Sequence, residues 1–341
     1  MMQGAMLITG GAGFVGTNLA HALLGAGVPV VILDNFSRQG VHHNAAWLQA
    51  YHGAKLKVLR ADVRDPQALR SAFDEAVQLG DGAPVSGVFH FAAQVAVTTS
   101  LVDPQFDFSV NVGGTLALLE LLRGLPASAP LIYTSTNKVY GELAGVMPVR
   151  VGSRYVPDEE GVAAHGIDES QPLDFRSPYG CSKGAADQYV LEYARSFGVR
   201  AAVFRMSCIY GPRQFGTEDQ GWIAHFLIRA LAGRPLTIFG DGAQVRDALF
   251  VDDLVAALLA AHQGLAAGEP ALVGQAFNIG GGPECSLSLL ELLGCIGELL
   301  AGDARGPVVR YAPWRLGDQR WYVSDCRKFG AARGYPLDAS G

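Results

Sequence analysis

The sequence lacks the charge pattern that nucleic-acid or membrane-surface binding requires. Only 17% of its 341 residues are charged, the net charge is −6, and no block of lysine and arginine occurs. Proteins that bind nucleic acid usually present a basic patch or stripe. We therefore expect neither a nucleic-acid partner nor an anionic membrane partner.

Cysteine is also scarce, and long apolar runs are missing. The five cysteines are odd in number and form no CxxC pair, which favours reduced thiols over disulfides or a zinc site. No window approaches the roughly 20 apolar residues of a transmembrane helix. The first residues lead straight into a glycine motif, without the charged region and cleavage site of a secretory signal. These features predict a cytoplasmic protein with no metal site.

Apolar residues, in contrast, make up 49% of the chain, and they alternate between two patterns. Short, almost continuous apolar runs are typical of parallel strands that are covered on both faces. Longer helical patterns separate them, and Asp65-Pro66 and Asp103-Pro104 each look like an N-cap followed by proline. This alternation predicts a Rossmann-type, doubly wound α/β fold with a parallel sheet. The predicted strands are Ala5–Thr9, Pro29–Leu33, Leu56–Arg60, Gly87–Phe91, Leu131–Thr134 and Ala201–Met206.

Beyond about residue 205 the alternation loosens and Pro and Gly become frequent, which indicates a smaller second region. We expect a nucleotide-binding domain of residues 1–205 with about 244–265. Residues 206–243 and 266–341 would then form a substrate-binding region. The Gly- and Pro-rich segment Leu143–Phe175 is unusually long for a loop, and such loops are often lids.

The stretch "ITGGAGFVG" predicts a dinucleotide site. Gly10, Gly13 and Gly16 follow the first strand and open a helix, where the backbone can approach a pyrophosphate at the helix N-terminus. Asp34 ends the second strand, where a carboxylate can accept hydrogen bonds from a ribose and would repel a 2′-phosphate. NAD is therefore favoured over NADP, although Arg38 lies nearby. The remaining predicted contacts are Phe14, Val15, Asn35, Ser37, Asp62, Val63, Phe91, Ala92, Ala93, Gln94, Asn111, Thr134, Tyr179 and Lys183.

Two of the residues near this site have simpler alternatives. Asp62 follows the third strand, where it could meet an adenine or simply shape the turn before Asp65. His90, at the end of the fourth strand, is interpreted as a buried histidine with satisfied hydrogen bonds and not as a catalyst.

The stretch "SPYGCSK" supplies the groups for redox chemistry. Tyr179 and Lys183 are four residues apart, so they share one face of a helix. A phenol titrates near pH ~10, and a neighbouring ammonium or a positively charged nicotinamide ring would favour the phenolate. Tyr179 could then take a hydroxyl proton while Thr136, in "TSTNKVYG", holds the same oxygen.

The motifs "TGGAGFVG", "TSTNKVYG", "SPYGCSK" and "RDALFVDD" together resemble those of the extended short-chain dehydrogenase/reductases that modify nucleotide sugars. The resemblance covers nearly the whole chain. It implies tightly held NAD, a catalytic centre of Thr136, Tyr179 and Lys183, and a nucleotide-sugar substrate. It also implies a homodimer or higher homo-oligomer, with helices near 112–122 and 179–197 paired across a two-fold axis. A further helix would follow "GYPLD" at the C-terminus.

Longer stretches are most similar to the family's epimerases that invert C2 of a CDP-hexose by transient oxidation and return of the hydride. The alternatives are a UDP- or NDP-hexose 4-epimerase, a 4,6-dehydratase and a non-catalytic NAD-binding scaffold. A UDP-sugar stays possible as the substrate. The stretches that carry the similarity are Ala93–Ser100, Asn111–Glu120, Asp168–Tyr189, Arg213–Trp222 and "FNIGGGPECSLSLLEL".

Asn137 and Lys138 argue against dehydration. Dehydratases of this family carry Asp-Glu after the catalytic Thr, because eliminating water needs an acid and a base. An amide transfers no proton at neutral pH, and lysine is ordinarily a cation. We expect this pair to contact the sugar instead, unless it only braces the strand end.

The second region offers arginines for a pyrophosphate, which planar guanidinium donors suit. Cys208 stands where many relatives place an asparagine, which puts the usual amide contact in doubt. The predicted substrate contacts are Thr136, Asn137, Lys138, Ser207, Arg213, Gln214, Gln220, Arg246 and Arg320.

Overall fold

A computed structural model describes residues 4–126, 128–300, 308–315 and 317–333. The strands are β1 (Met6–Thr9), β2 (Val30–Asp34), β3 (Leu56–Arg60), β4 (Gly87–His90), β5 (Leu131–Thr136), β6 (Pro148–Val151), β7 (Arg154–Pro157), β8 (Ala201–Met206), β9 (Cys208–Tyr210), β10 (Leu236–Phe239), β11 (Val245–Phe250), β12 (Gln275–Ile279), β13 (Ser286–Ser288), β14 (Val309–Ala312) and β15 (Trp321–Tyr322).

The helices alternate with these strands in the first two thirds of the chain. They are α1 (Phe14–Gly25), α2 (Val41–His52), α3 (Pro66–Leu79), α4 (Val97–Val102), α5 (Pro104–Phe108), α6 (Gly114–Arg123), α7 (Glu160–His165), α8 (Pro178–Phe197), α9 (Trp222–Leu231), α10 (Val251–Ala267), α11 (Leu289–Leu299) and α12 (Arg327–Arg333). A π-helical turn, Ser109–Gly113, joins α5 to α6.

The main sheet is parallel and has the order β12-β8-β5-β4-β1-β2-β3. All six predicted strands lie in it, and the predicted doubly wound fold is confirmed. The strand order reverses direction at β1, and α/β sheets bind their ligands at such points, outside the carboxyl ends of the strands.

The core lies on both faces of this sheet. In β1, Leu7 packs into one apolar cluster while Met6 and Ile8 pack into the other. This alternation follows from the two-residue period of a strand. Because both clusters are buried under helices, the strands read as continuous apolar runs.

Two predicted helix starts are confirmed at their caps. Asp65 accepts a hydrogen bond of 2.9 Å from the backbone N–H of Gln67, and Pro66 begins α3. Asp103 accepts one of 2.9 Å from the N–H of Phe106, and Pro104 begins α5. The caps satisfy backbone donors that the helix itself leaves unpaired.

The second region is built around β11, which pairs with β9, β13 and β15. Two boundaries drawn from the sequence differ from the sheets. β11 falls within the 244–265 expected for the nucleotide-binding domain, and β12 falls within 266–341 yet forms the edge strand of the main sheet beside β8. A single buried strand after an irregular stretch gives little pattern with which to place it. The helix expected after "GYPLD" lies outside the described residues.

The segment Leu143–Phe175 is not an irregular loop. It contains the antiparallel hairpin β6–β7 and the short helix α7. Tyr155 from β7 packs with Tyr140, Trp321 and Tyr322 in a small core of its own. The segment is therefore a packed part of the second region.

Candidate active site

A single cavity of about 850 Å³ lies at the carboxyl ends of the main strands. Its lining comes from the glycine loop, the ends of β2, β4 and β5, the start of α8 and the second region. The predicted site residues in this lining are Gly10, Gly13, Phe14, Val15, Gly16, Asp34, Asn35, Ser37, Arg38, Val63, Phe91, Ala92, Ala93, Gln94, Thr134, Thr136, Asn137, Lys138, Tyr179, Lys183, Ser207, Arg213, Gln214, Gln220 and Arg246. Among the residues placed by the structure, Asp62, Asn111 and Arg320 do not join them.

The glycine loop is shaped by close backbone approaches. Gly10 has a φ of +70°, and a Cβ there would lie 2.6 Å from the backbone nitrogen of Ala92. A Cβ on Gly16 would lie 2.6 Å from the carbonyl oxygen of Gly10. Side chains at these two positions are thus excluded, and the loop turns tightly into α1.

The loop leaves the start of α1 open to an anion. Gly13 is the N-cap of α1, and within the described chain no side chain caps this end and no acidic residue occupies the first turn. Free N–H groups and the helix dipole favour a phosphate at such a terminus. The glycine loop and this helix start therefore fit the pyrophosphate of NAD.

Asp34 is held at the end of β2 by the same loop. Its carboxylate accepts hydrogen bonds from the backbone N–H groups of Phe36 at 2.8 Å and Ala12 at 3.1 Å. Burial raises the pKa of this carboxyl, and the backbone hydrogen bonds oppose that shift. The carboxylate is therefore oriented toward the cavity, as the ribose interpretation requires.

Asp62 is engaged elsewhere. It forms two hydrogen bonds of 2.9 Å with the guanidinium of Arg64 and accepts one of 3.0 Å from Asn35. The Arg64 hydrogen bonds lower the pKa of Asp62 to about 2. Asp62 also lies outside the described cavity lining, and its expected adenine contact stays a prediction.

The buried polar groups below the cavity satisfy one another. His90 is bonded through Nδ1 to Thr9 at 2.6 Å and through Nε2 to Thr115 at 3.0 Å, and burial lowers its pKa to about 3. It is the satisfied core histidine that the sequence predicted. Asn111 accepts a 2.9 Å hydrogen bond from the backbone N–H of Gln94, so it supports the cavity wall from behind.

Tyr179 and Lys183 lie in the first two turns of α8, and both side chains line the cavity. Ser177 caps the helix by accepting a 3.0 Å hydrogen bond from the N–H of Gly180. The ammonium of Lys183 donates a 2.6 Å hydrogen bond to the carbonyl oxygen of Thr134. This bond ties the catalytic helix to the strand that carries Thr136.

The protonation states of Tyr179 and Lys183 differ from the expectation that a neighbouring ammonium lowers the pKa of the phenol. Burial raises the pKa of Tyr179 to about 12, which a hydrogen bond with Thr136 opposes only in part. Burial also lowers the pKa of Lys183 to about 7, although the carboxylates of Asp187 and Asp107 act to raise it. The protein alone therefore keeps Tyr179 a phenol, and the expected lowering by a neighbouring ammonium is not seen. Desolvation outweighs it, because both groups are buried.

Asn137 and Lys138 turn away from the strand end into a short 3₁₀ turn. Asn137 accepts a 3.3 Å hydrogen bond from the hydroxyl of Thr136. Lys138 lies 3.4 Å from the carboxylate of Asp318, which Arg246 also contacts at 2.8 Å. Burial alone would raise the pKa of Asp318, but the two cations hold it below its usual range. Two cations share one carboxylate in this cluster, so a net positive charge remains at the cavity wall.

Several of the remaining predicted substrate residues form hydrogen bonds with other residues of the protein. The Ser207 hydroxyl donates to the buried carboxylate of Asp247. Gln214 donates a 3.0 Å hydrogen bond to the carbonyl of Ile209, while its buried carbonyl oxygen has no partner among the described residues. Arg320 lies outside the cavity, 5.6 Å from the ring centroid of Tyr155. Its expected pyrophosphate contact stays a prediction.

Sequence reasoning missed Arg315 in the cavity wall, and it left Trp222 open between lining the pocket and packing. Arg315 lies 3.8 Å from the ring centroid of Phe239 and pairs with Glu218 at 3.4 Å. Trp222 lines the cavity at the start of α9, and its indole N–H donates to the thiol of Cys208 at 3.1 Å. The stretch "WRLGD" was a usable signal for Arg315, because it is an arginine close to a glycine turn.

Three further expectations concern disulfides, metal ligands and membrane-spanning helices. The five cysteines are not disulfide-bonded in the structure. Over the described residues, no group of histidine, cysteine and acidic side chains could hold a metal ion. In that same part of the chain, no helix is long and apolar enough to span a membrane.

The NAD dependent epimerase/dehydratase family matches residues 6–280 of the chain. The chain is 42% identical over 328 residues to CDP-paratose 2-epimerase of Salmonella typhi, which covers 95% of this chain and 91% of the relative. It is 34% identical over 317 residues to UDP-glucose 4-epimerase of Mycolicibacterium smegmatis, covering 92% and 87%. A crystal structure of Thermus thermophilus UDP-glucose 4-epimerase in complex with NAD superposes with a TM-score of 0.77 at 31% identity, covering 99% of this chain and 95% of that one.

Proposed function

The chain belongs to the NAD dependent epimerase/dehydratase family, and we propose that it inverts C2 of a CDP-hexose of the paratose and tyvelose type. It is an NAD-dependent isomerase with a Rossmann-type nucleotide-binding fold. The observation that carries the choice of C2 and CDP is the 42% identity to CDP-paratose 2-epimerase over 95% of the chain.

The proposed chemistry begins with proton transfer at the substrate hydroxyl. Tyr179 takes that proton, and Thr136, which lines the same cavity wall, donates a hydrogen bond to the oxygen. Lys183 stays anchored to Thr134 and holds the helix of Tyr179 against the strand that carries Thr136. NAD held by the glycine loop and Asp34 would supply reversible hydride transfer at the sugar carbon. The positive charge of its nicotinamide ring favours the phenolate form of Tyr179.

Asn137 and Lys138 support an epimerase over a dehydratase. Elimination of water requires a general acid and a general base beside the sugar. The amide of Asn137 is neither, and the ammonium of Lys138, which lies 3.4 Å from Asp318, cannot act as the base. The keto sugar formed in the cavity would therefore be reduced again without losing water.

Inversion at C2 also requires the oxidised sugar to present its other face. The sequence suggested that Leu143–Phe175 roofs the space for this rotation, but none of its residues belongs to the described cavity lining. The roof comes instead from residues 213–223 and from Arg315, Gly317 and Asp318. We propose that the sugar reorients beneath this roof.

A 4-epimerase acting on a UDP-hexose is the second candidate, favoured by the similarity to the Mycolicibacterium and Thermus enzymes. The two candidates are separated by product analysis. The purified protein is incubated in parallel with CDP-paratose and UDP-glucose, and the products are assigned by NMR. We expect a C2-inverted product from CDP-paratose and no change in UDP-glucose. Inversion at C4 of UDP-glucose would establish the second candidate instead.

We further propose that the protein acts in the cytoplasm, in carbohydrate biosynthesis, as a homodimer or a higher homo-oligomer. Tyr189 and Phe197 on α8 are 44% and 48% exposed, which is unusual for two large apolar side chains on one helix. Such a face suits pairing with the same helix of a second copy. Light scattering of the purified protein tests this, and a monomer at micromolar concentration would contradict it.

A further inference from the structure

The segment 212–216 of the second region is fastened to the first two helices of the nucleotide-binding domain. The guanidinium carbon of Arg213 lies only 3.6 Å from the ring centroid of Trp47 on α2. The same guanidinium donates a 3.1 Å hydrogen bond to the side-chain oxygen of Asn18 on α1. Arg213 is thus held between two helices that flank the glycine loop.

The backbone of the segment is held as firmly as the side chain. Asn18 donates a 3.1 Å hydrogen bond to the carbonyl oxygen of Pro212, and Asn44 donates one of 3.2 Å to that of Arg213. Asn44 also donates a 3.1 Å hydrogen bond to the carbonyl of Ala12, inside the glycine loop. One amide therefore links the segment directly to the loop.

The conformation of Arg213 shows that these contacts determine the path of the chain. Its φ is +67°, a left-handed conformation that residues other than glycine, asparagine and aspartate rarely adopt. A backbone in this region persists only where its surroundings enforce it. Here the surroundings are the two asparagines and Trp47.

A contact between Phe215 and Gly40 holds the C-terminal end of segment 212–216. Phe215 lies directly on Gly40, the N-cap of α2, where a Cβ would come within 2.4 Å of the phenyl ring. Gly40 also has a φ of +86°. Position 40 therefore requires glycine, both for its positive φ and for the space that the phenyl ring occupies. The ring of Phe215 packs against the backbone at the edge of the loop that follows Asp34.

We propose that residues 212–216 form a clasp over the cofactor end of the cavity, and that Arg213 is a positioning residue that retains NAD and does not bind the sugar nucleotide. Arg213 and Phe215 line the same cavity as Gly13, Gly16 and Asp34. NAD leaves only when the clasp opens, which suits an enzyme that regenerates its cofactor in every turnover. The inference rests on NAD binding by the family and holds for inversion at either C2 or C4.

The test measures exchange of the cofactor, which does not depend on catalysis. Holoenzyme is mixed with an excess of isotopically labelled NAD, desalted at intervals, and its bound nucleotide is identified by mass spectrometry. Arg213→Met removes the charge and the planar stack while keeping a long side chain. We expect NAD exchange to become about 5- to 30-fold faster, as loss of one cation–π contact and one charged hydrogen bond predicts.

A matched control is available on a distant surface. Arg123 stacks on Phe197 at 4.6 Å and does not belong to the described cavity lining, so Arg123→Met should leave the exchange rate unchanged. Calorimetry with CDP should give the same affinity for the Arg213→Met and wild-type holoenzymes within about twofold. If Arg213→Met does not fold, Trp47→Leu removes the stack from the other side and should also speed exchange.

Two results would overturn the proposal. One is an unchanged exchange rate in whichever of the two variants folds. The other is a tenfold loss of CDP affinity in Arg213→Met with normal NAD exchange, which would show that Arg213 contacts the sugar nucleotide.

Discussion

The ammonium nitrogen of Lys183 donates a 2.6 Å hydrogen bond to the carbonyl oxygen of Thr134, two residues before Thr136 on the same strand. The same nitrogen lies 4.2 Å from the ring centroid of Tyr133. Lys183 therefore joins the helix of Tyr179 to the strand end of Thr136, and the spacing of the three groups is set by one buried contact.

Removing the phenol oxygen should stop the chemistry and leave the cofactor in place. We expect Tyr179→Phe to lower kcat by about 10²- to 10⁴-fold, the usual contribution of a positioned general base. Its NAD content after gel filtration should match the wild type. Tyr189→Phe, on the exposed face of the same helix, is the control. Turnover within threefold of wild type in Tyr179→Phe would show that another group takes the proton.

The ionisation of Tyr179 should depend on NAD. Burial raises its pKa to about 12 in the protein alone, and a raised phenol pKa means that the protonated form prevails up to that pH. A positively charged nicotinamide ring favours the phenolate and lowers the pKa. The tyrosinate absorbance of wild type minus Tyr179→Phe should therefore be absent at pH 7–10 without NAD and should appear in that range with NAD. A difference spectrum that NAD does not change would be inconsistent with this account.

Lys138 offers a test of whether the pair after Thr136 contacts the sugar or only braces the fold. Lys138→Met removes the cation, while Arg246 still holds Asp318 at 2.8 Å. We expect kcat/KM for the nucleotide sugar to fall about tenfold, equivalent to ~1.4 kcal/mol, with little change in Tm. A lowered Tm with unaltered kinetics would assign Lys138 to the brace.

The sheet and the glycine loop were predictable because their signals are local. Short runs rich in apolar residues, such as Leu56–Arg60 and Ala201–Met206, predict strand bounds that the structure reproduces. The positions of Gly10 and Gly16 follow from a motif whose geometry allows few alternatives. Tyr179 and Lys183 were placed on one helix face by their spacing, which the structure confirms.

Other features depend on distant partners and were not predictable. Nothing in the sequence shows that Arg64 pairs with the carboxylate of Asp62. The pKa values of Tyr179 and Lys183 depend on burial, which spacing does not reveal. Leu143–Phe175 was taken for a lid because its hairpin is short and its packing partners, such as Trp321, lie far along the chain.

The buried ion pair Arg205–Asp187, on the helix of Tyr179 and the neighbouring strand, should contribute strongly to the free energy of unfolding. Arg205 forms two hydrogen bonds with Asp187, of 2.9 and 3.0 Å, and both residues are at most 5% exposed. Removing one charge leaves the other buried and unpaired, which costs about 3–5 kcal/mol. We expect Asp187→Asn to lower the free energy of unfolding in urea by that amount.

The exposed pair Lys57–Glu75, with 46% and 34% exposure, is the matched control for Asp187→Asn. Glu75→Gln should cost less than about 1 kcal/mol, because solvent screens surface pairs. Equal losses in the two variants would mean that the Arg205–Asp187 pair has no special role.

The most direct test of the central claim is an incubation with CDP-paratose in deuterated water, followed by proton NMR of the sugar. Oxidation and hydride return within one closed site predict inversion at C2 with the original hydrogen retained there and no deuterium at C2. Deuterium at C2 of an inverted product, or no change at C2, would contradict the account.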